Sequence, residues 1–102
     1  MPKKSQKKSA TKKVFLSPYQ VGKNIFIQTA IYFQVGLISE LNEHGIVLTK
    51  AAWIPEVGRF NEALATGIFL QVELWGETNV MVPFGAIIAA CEWNHNLPTD
   101  SK

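Results

Sequence analysis

From Asn24 the chain reads NIFIQTAIYFQVGLISEL, a stretch dominated by Ile, Phe, Val and Tyr with too few charges for an exposed helix. β-Branched and aromatic side chains suit a pleated, half-buried surface, so the pattern predicts two strands with a break at Thr29 and Ala30. Gly36 falls inside the second of them, where a missing side chain marks a bulge or a sharp bend. A polar turn, Asn42-Glu43-His44, then leads into GIVLTKAAW, a third strand from Gly45 to Trp53 that Pro55 is expected to stop. Residues 56–66, EVGRFNEALAT, are less regular. Within them Asn61, followed by Glu-Ala-Leu-Ala and closed by Gly67, predicts one helical turn. A strand over Ile68–Trp75, a turn over Gly76–Asn79, a strand over Val80–Phe84 and a last apolar run from Ala86 to Trp93 complete the body. A polar tail begins at Asn94. Ahead of all this, Ser17 and Pro18 offer a cap for one short helical turn that Gly22 would end.

Five or six short antiparallel strands with almost no helix predict an all-β domain, a small barrel rather than a sandwich. The chain divides into a basic tail (1–13), the barrel domain (14–97) and a short C-terminal tail (98–102). Composition agrees with one globular domain of 102 residues, 47% of them apolar. Three Trp and six Phe supply much apolar area, yet so small a domain buries a modest share of its surface, so oligomerisation would help it. The single cysteine, Cys91, excludes an intramolecular disulfide framework, and no charged leader with a cleavage site is visible; a reducing, cytoplasmic setting is the expectation. The apolar run Ala86–Cys91 is far below the roughly 18 residues a membrane span needs, so no membrane partner is expected.

Charge separates the tail from the body. Residues 1–13, MPKKSQKKSATKK, carry Lys3, Lys4, Lys7, Lys8, Lys12 and Lys13 and no acid, whereas residues 14–102 hold four bases against eight acids and are net −4. Without apolar periodicity the tail is expected to be disordered in isolation, and a polyanion is its natural partner. A purely solubilising arm is the alternative.

Two short motifs extend the picture. Gly36, Ile38, Leu41 and Asn42 in GLISELN, followed by EHGIVL, match the spacing of the first motif of the Sm-like family, which this chain resembles; MVPFGAII (Met81–Ile88) resembles the second, with Gly85 at the motif's glycine. The likeness spans about residues 22–93. Gln34, Gly45 and Phe84 depart from it, Phe84 standing where the family places a basic residue. The resemblance implies a bent SH3-type barrel of five strands, subunits joined edge to edge in a homo-oligomeric ring of about five to seven, and single-stranded RNA or DNA held at the pore by two turns. Carried over by position, those turns supply Asn42, His44 and Gly45 from one and Phe84 and Gly85 from the other. An exposed His or Phe ring can stack on a base and an Asn amide can read a base edge. The alternative is that Asn-Glu-His-Gly merely turns a hairpin and Phe84 lies in the core.

Catalysis finds little support. Glu40 and Glu43 flank a turn, where carboxylates are ordinarily solvated, and Cys91, beside Glu92 and near His95, reads as a small core residue of the last strand. No glycine-rich phosphate loop and no metal-ligand spacing occur, so neither cofactor nor metal is expected. The expectation is a non-catalytic, ring-forming, nucleic-acid-binding protein. Its rival is a structural or protein-interaction ring.

Overall fold

The last two strands do not pair with each other, and the architecture follows from how one long strand compensates. In the computed structural model, which describes residues 16–102, the order is β1 (Asn24–Thr29), β2 (Phe33–Leu41), β3 (Gly45–Glu56), α1 (Phe60–Thr66), β4 (Gln71–Leu74), β5 (Val80–Pro83), a 3-10 turn (Phe84–Ala86) and β6 (Ile87–Glu92). All pairings are antiparallel, in the order β4-β3-β2-β1-β6, with β5 added to the N-terminal half of β3. The protein is thus an all-β domain of six strands in one sheet that does not close on itself. The lysine-rich tail predicted over 1–13 lies outside the described residues.

The outer edge of β3 is shared. Gly45–Leu48 pair with β5 and Ala52–Glu56 with β4, and the changeover falls at Lys50, a non-glycine residue in the left-handed region at φ 52°. Opposite it, the register with β2 slips between Val35↔Ala52 and Leu37↔Thr49. Gly36 occupies that slip, where an added Cβ would stand 3.2 Å from Leu48 Cβ and 3.3 Å from Ala51 Cα. A bulge is therefore present opposite Gly36, with the extra residue on β3 at Lys50–Ala51, and such an extra residue sharpens the local twist and bends the sheet.

Bending creates two apolar faces. One cluster gathers Ile25, Ile27, Ile38, Ile46, Leu48 and Val82; the other gathers Phe26, Val35, Ile54, Phe69, Val72 and Trp93. Alternate residues of β1 thus serve opposite clusters, as the two-residue period of a strand requires. The connection between β3 and β4, longer than a minimal barrel needs, covers the second face: Val57, Ala63 of α1 and Phe69 are buried there, and Phe69 stacks on Phe26 (5.7 Å) and Trp93 (5.1 Å). The helical turn predicted around Asn61 is α1. Gly67, left-handed at φ 76°, ends it by donating its N–H to Ala63 O (2.7 Å). His95 Nε2–H donates to the Leu64 carbonyl (2.7 Å), one of the last carbonyls that the helix itself leaves without a partner.

Several boundaries differ from the sequence expectation, each for a physical reason. β3 continues through Pro55 to Glu56, because the proline sits in the register shift between Trp53 and Glu56, where no ladder N–H is required. β4 begins only at Gln71, and Ile68 and Leu70 ahead of it are exposed. Ser17–Gly22 form no helix; the Ser17 hydroxyl accepts the Tyr19 N–H (3.1 Å) and a turn ends at Gly22. Cys91 is exposed, contrary to its reading as core, because it borders an open groove between β6 and the Phe60–Leu64 side of α1. The C-terminal tail is engaged: Lys102 and Val72 exchange two backbone hydrogen bonds (2.7 and 2.8 Å), and Ser101 Oγ accepts from the Leu74 N–H (3.0 Å). Among the described residues no helix is long and apolar enough to cross a membrane.

Phe69, only 2% exposed, ties the covering segment to the sheet. Phe69→Ala is expected to lower stability by about 3–5 kcal/mol through the cavity it leaves. Urea unfolding followed by tryptophan fluorescence, with Trp93 as the local reporter, measures the loss.

Candidate nucleic-acid interface

The β2–β3 hairpin turn is organised by one side chain. Asn42 Oδ1 accepts the backbone N–H groups of His44 (2.8 Å) and Gly45 (3.1 Å), while the Asn42 N–H donates to the Gly45 carbonyl (3.1 Å). An Asn side chain that mimics the backbone two residues on is a frequent turn device. Its consequence here is chemical. The acceptor half of the amide is engaged within the turn, leaving only the Nδ2 group, beside Glu40 Oε2 at 3.5 Å, to face outward.

Gly45 plays a spacing part. A Cβ there would overlap the Val82 carbonyl oxygen and come within 2.8 Å of Pro83 Cα, so a side chain would force β5 away from β3. That close approach carries the chain of β5 straight into the 3-10 turn. The Phe84 N–H donates to the His44 carbonyl (3.0 Å), joining the two turns that the sequence singled out. Gly85 follows with open space where its Cβ would be.

The side chains at this junction are accessible. Phe84 is 37% exposed and meets Tyr19 edge-on (5.3 Å, 72°), and it belongs to neither buried cluster. The His44 side chain is 73% exposed, with Nε2 3.4 Å from the Glu43 carboxylate, an ion pair only when the imidazole is protonated. Two flat rings therefore stand on adjoining turns. Tyr19, which sequence reasoning did not single out, supports one of them, and its only signal was an aromatic residue ahead of Gly22. Lys3, Lys4, Lys7, Lys8, Lys12 and Lys13 lie outside the described residues, but the chain enters the described part three residues before the Tyr19–Phe84 contact.

The alternative chemistries are dispersed. His95 is turned to Leu64 and packs edge-on against Trp93 (4.9 Å), and Glu92 pairs with Lys23 (3.4 Å). Partial burial pushes the Cys91 thiol above its ordinary range, which disfavours the thiolate a nucleophile needs. Among the described residues no three His, Cys, Asp or Glu side chains gather where they could hold a metal ion. No family model matches the chain, and neither a curated protein nor a solved structure matches it.

The turn geometry makes a separable prediction for Asn42. Asn42→Ala removes an acceptor serving two N–H groups and should cost about 1–3 kcal/mol, whereas Asn42→Asp keeps the acceptor and most of the stability. Melting curves of the two variants compare them directly.

Proposed function

We propose that this chain is a non-catalytic Sm-like barrel that assembles into a homo-oligomeric ring and binds single-stranded nucleic acid, RNA in preference to DNA, at the junction of its two turns. The observation that carries the reading is the Phe84 N–H to His44 carbonyl bond, which joins the two turns that bear an exposed imidazole and an exposed phenyl ring. Stacking on such rings is tolerant of sequence and needs no groove. No Lys or Arg occurs in Asn42–Gly45 or Pro83–Ala86, so attraction to phosphate falls to the tail lysines.

Strand order supports the barrel and the ring. Along the N-terminal half of β3 the sequence of neighbours is β5-β3-β2-β1-β6, which an SH3-type barrel shares, and the outer edges of β5 and β6 have no partner among the described residues. Exposed Met81 and Ile88 stand on those strands. Unpaired apolar edges are aggregation hazards unless another strand covers them. Pairing β5 of one subunit with β6 of the next is a head-to-tail contact, which closes into a ring when the rotation permits. The second reading, a ring that binds a protein partner and uses its tail for solubility, predicts the same assembly without oligonucleotide binding.

Light scattering coupled to size exclusion should return a single mass of about five to seven subunits. A monomer at all concentrations would remove the ring, and a ladder of sizes would mean the edges pair without closing. With the ring intact, His44→Ala or Phe84→Ala should each weaken oligo-U and oligo-A binding by on the order of 1–3 kcal/mol per stacked base. Wild-type binding by both variants would sink the pore reading.

The tail makes its own prediction. Deleting residues 1–13 should flatten the salt dependence, since each phosphate neutralised adds a slope of roughly 0.7 in log affinity against log salt for single strands. Unchanged affinity and slope would leave the tail a solubilising arm.

A further inference from the structure

A second set of aromatic side chains lies away from the two turns, on the outward side of β3 and β4. Trp53 pairs across the strands with Glu73, and Trp75 follows two residues after Glu73, on the same side. The indoles stand 6.5 Å apart at 37°, and each remains about two-fifths exposed. Both are held in place. Tyr32 meets Trp53 edge-on (4.6 Å, 83°), and Trp75 Nε1–H donates to Gln34 Oε1 (3.1 Å). Between them runs a groove of about 390 Å³ lined by Trp53, Glu73, Leu74 and Trp75.

A groove with two indole walls and one carboxylate has a definite chemical preference. Indole is the aromatic group that best attracts a cation over its face, and a carboxylate alongside adds direct charge pairing. Glu73 has no ion-pair partner among the described residues. A second acid, Glu56, is exposed opposite Gln71, two residues before Glu73. Lys50, the nearest base along β3, borders a different groove with Asn24 and Leu97, and Lys102, paired by its backbone with Val72, borders another with Phe69. Local charge therefore favours a cation and disfavours a phosphate backbone.

We propose that the Trp53–Glu73–Trp75 groove binds the ammonium group of a lysine side chain presented by an extended basic segment of a partner polypeptide. The second acid, Glu56, explains why the occupant is a segment and not a lone small cation. Gln71 and Glu73 alternate along β4, with Trp75 just beyond its end, and an extended partner likewise repeats its side chains about every 6.8 Å on one face. A lysine over the indoles then leaves a neighbour two residues away near Glu56, which lies opposite Gln71. The proposal does not depend on nucleic-acid binding at the His44–Phe84 junction, because the residues are different.

The test uses the full chain and a capped peptide of sequence Gly-Lys-Ser-Lys-Gly, with norleucine replacing lysine in a control peptide. Two-dimensional NMR of the indole N–H signals should show Trp53 and Trp75 shifting on addition of the lysine peptide while buried Trp93 stays fixed. Glu73→Gln, an exposed substitution expected to leave melting unchanged, should weaken binding about fivefold, and Trp53→Leu about threefold or more. Equal binding of the norleucine peptide would overturn the proposal, as would lysine-peptide binding indifferent to both variants. An oligonucleotide that shifts the same two indole signals more strongly than the peptide would assign the surface to nucleic acid and overturn it as well.

Discussion

The bend in β3 is the constraint on which the remaining structure depends. β3, twelve residues long, pairs with β5 and then β4 along one edge while β2 runs along the other. Lys50 in the left-handed region, with Gly36 opposite, lets the strand change direction between them. Left-handed backbone is unfavourable for a residue with a Cβ, so the surrounding ladder must hold Lys50 there. From that one change of direction follow the position of β5 beside Gly45, the junction of the hairpin with the 3-10 turn, and the separate position of β4 that brings Trp75 beside Trp53.

The second consequence of the bend is a sheet buried on both faces. A half-wet antiparallel sheet shows clean alternation of apolar and polar residues, but β1 is apolar at Ile25, Phe26 and Ile27 in succession. Such a run requires cover on each side. The inside of the curl supplies one, and the segment from Val57 to Phe69, locked by Trp93, supplies the other. His95 belongs to this arrangement rather than to any chemistry with Cys91: its ring packs where a Gly67 Cβ would lie only 2.6 Å from His95 Cγ, and its Nε2–H satisfies a carbonyl of α1.

Strand existence was legible in the sequence because β-branched runs and turn residues are local signals. The irregularity at Gly36, the turn at Asn42–His44 and α1 before Gly67 were readable for the same reason. Ends of elements were less so: whether Pro55 terminates β3 depends on whether its missing N–H faces a partner, a property of register that no local pattern carries. The juxtaposition of His44 with Phe84 came from a motif resemblance. Tyr19 against Phe84, Asn42 turned inward, and the Trp53–Glu73–Trp75 arrangement depend on contacts between distant segments, and composition shows the residues without showing who meets whom. Cys91 was misjudged because an unbroken apolar run does not disclose which of its residues a helix over it covers.

The two hydrogen bonds between Lys102 and Val72 bear on the valence of the subunit as a building block. An open sheet with edges at β4, β5 and β6 has three places at which another strand could add, and three attachment points permit branching networks. Among the described residues the C-terminal segment occupies part of the β4 edge and leaves two. A unit with two connectors can only chain or cyclise. In the proposed ring a few residues at the C-terminal end of the sheet would thereby prevent branching, and the geometry between the two remaining connectors would decide whether the chain of subunits returns to its start.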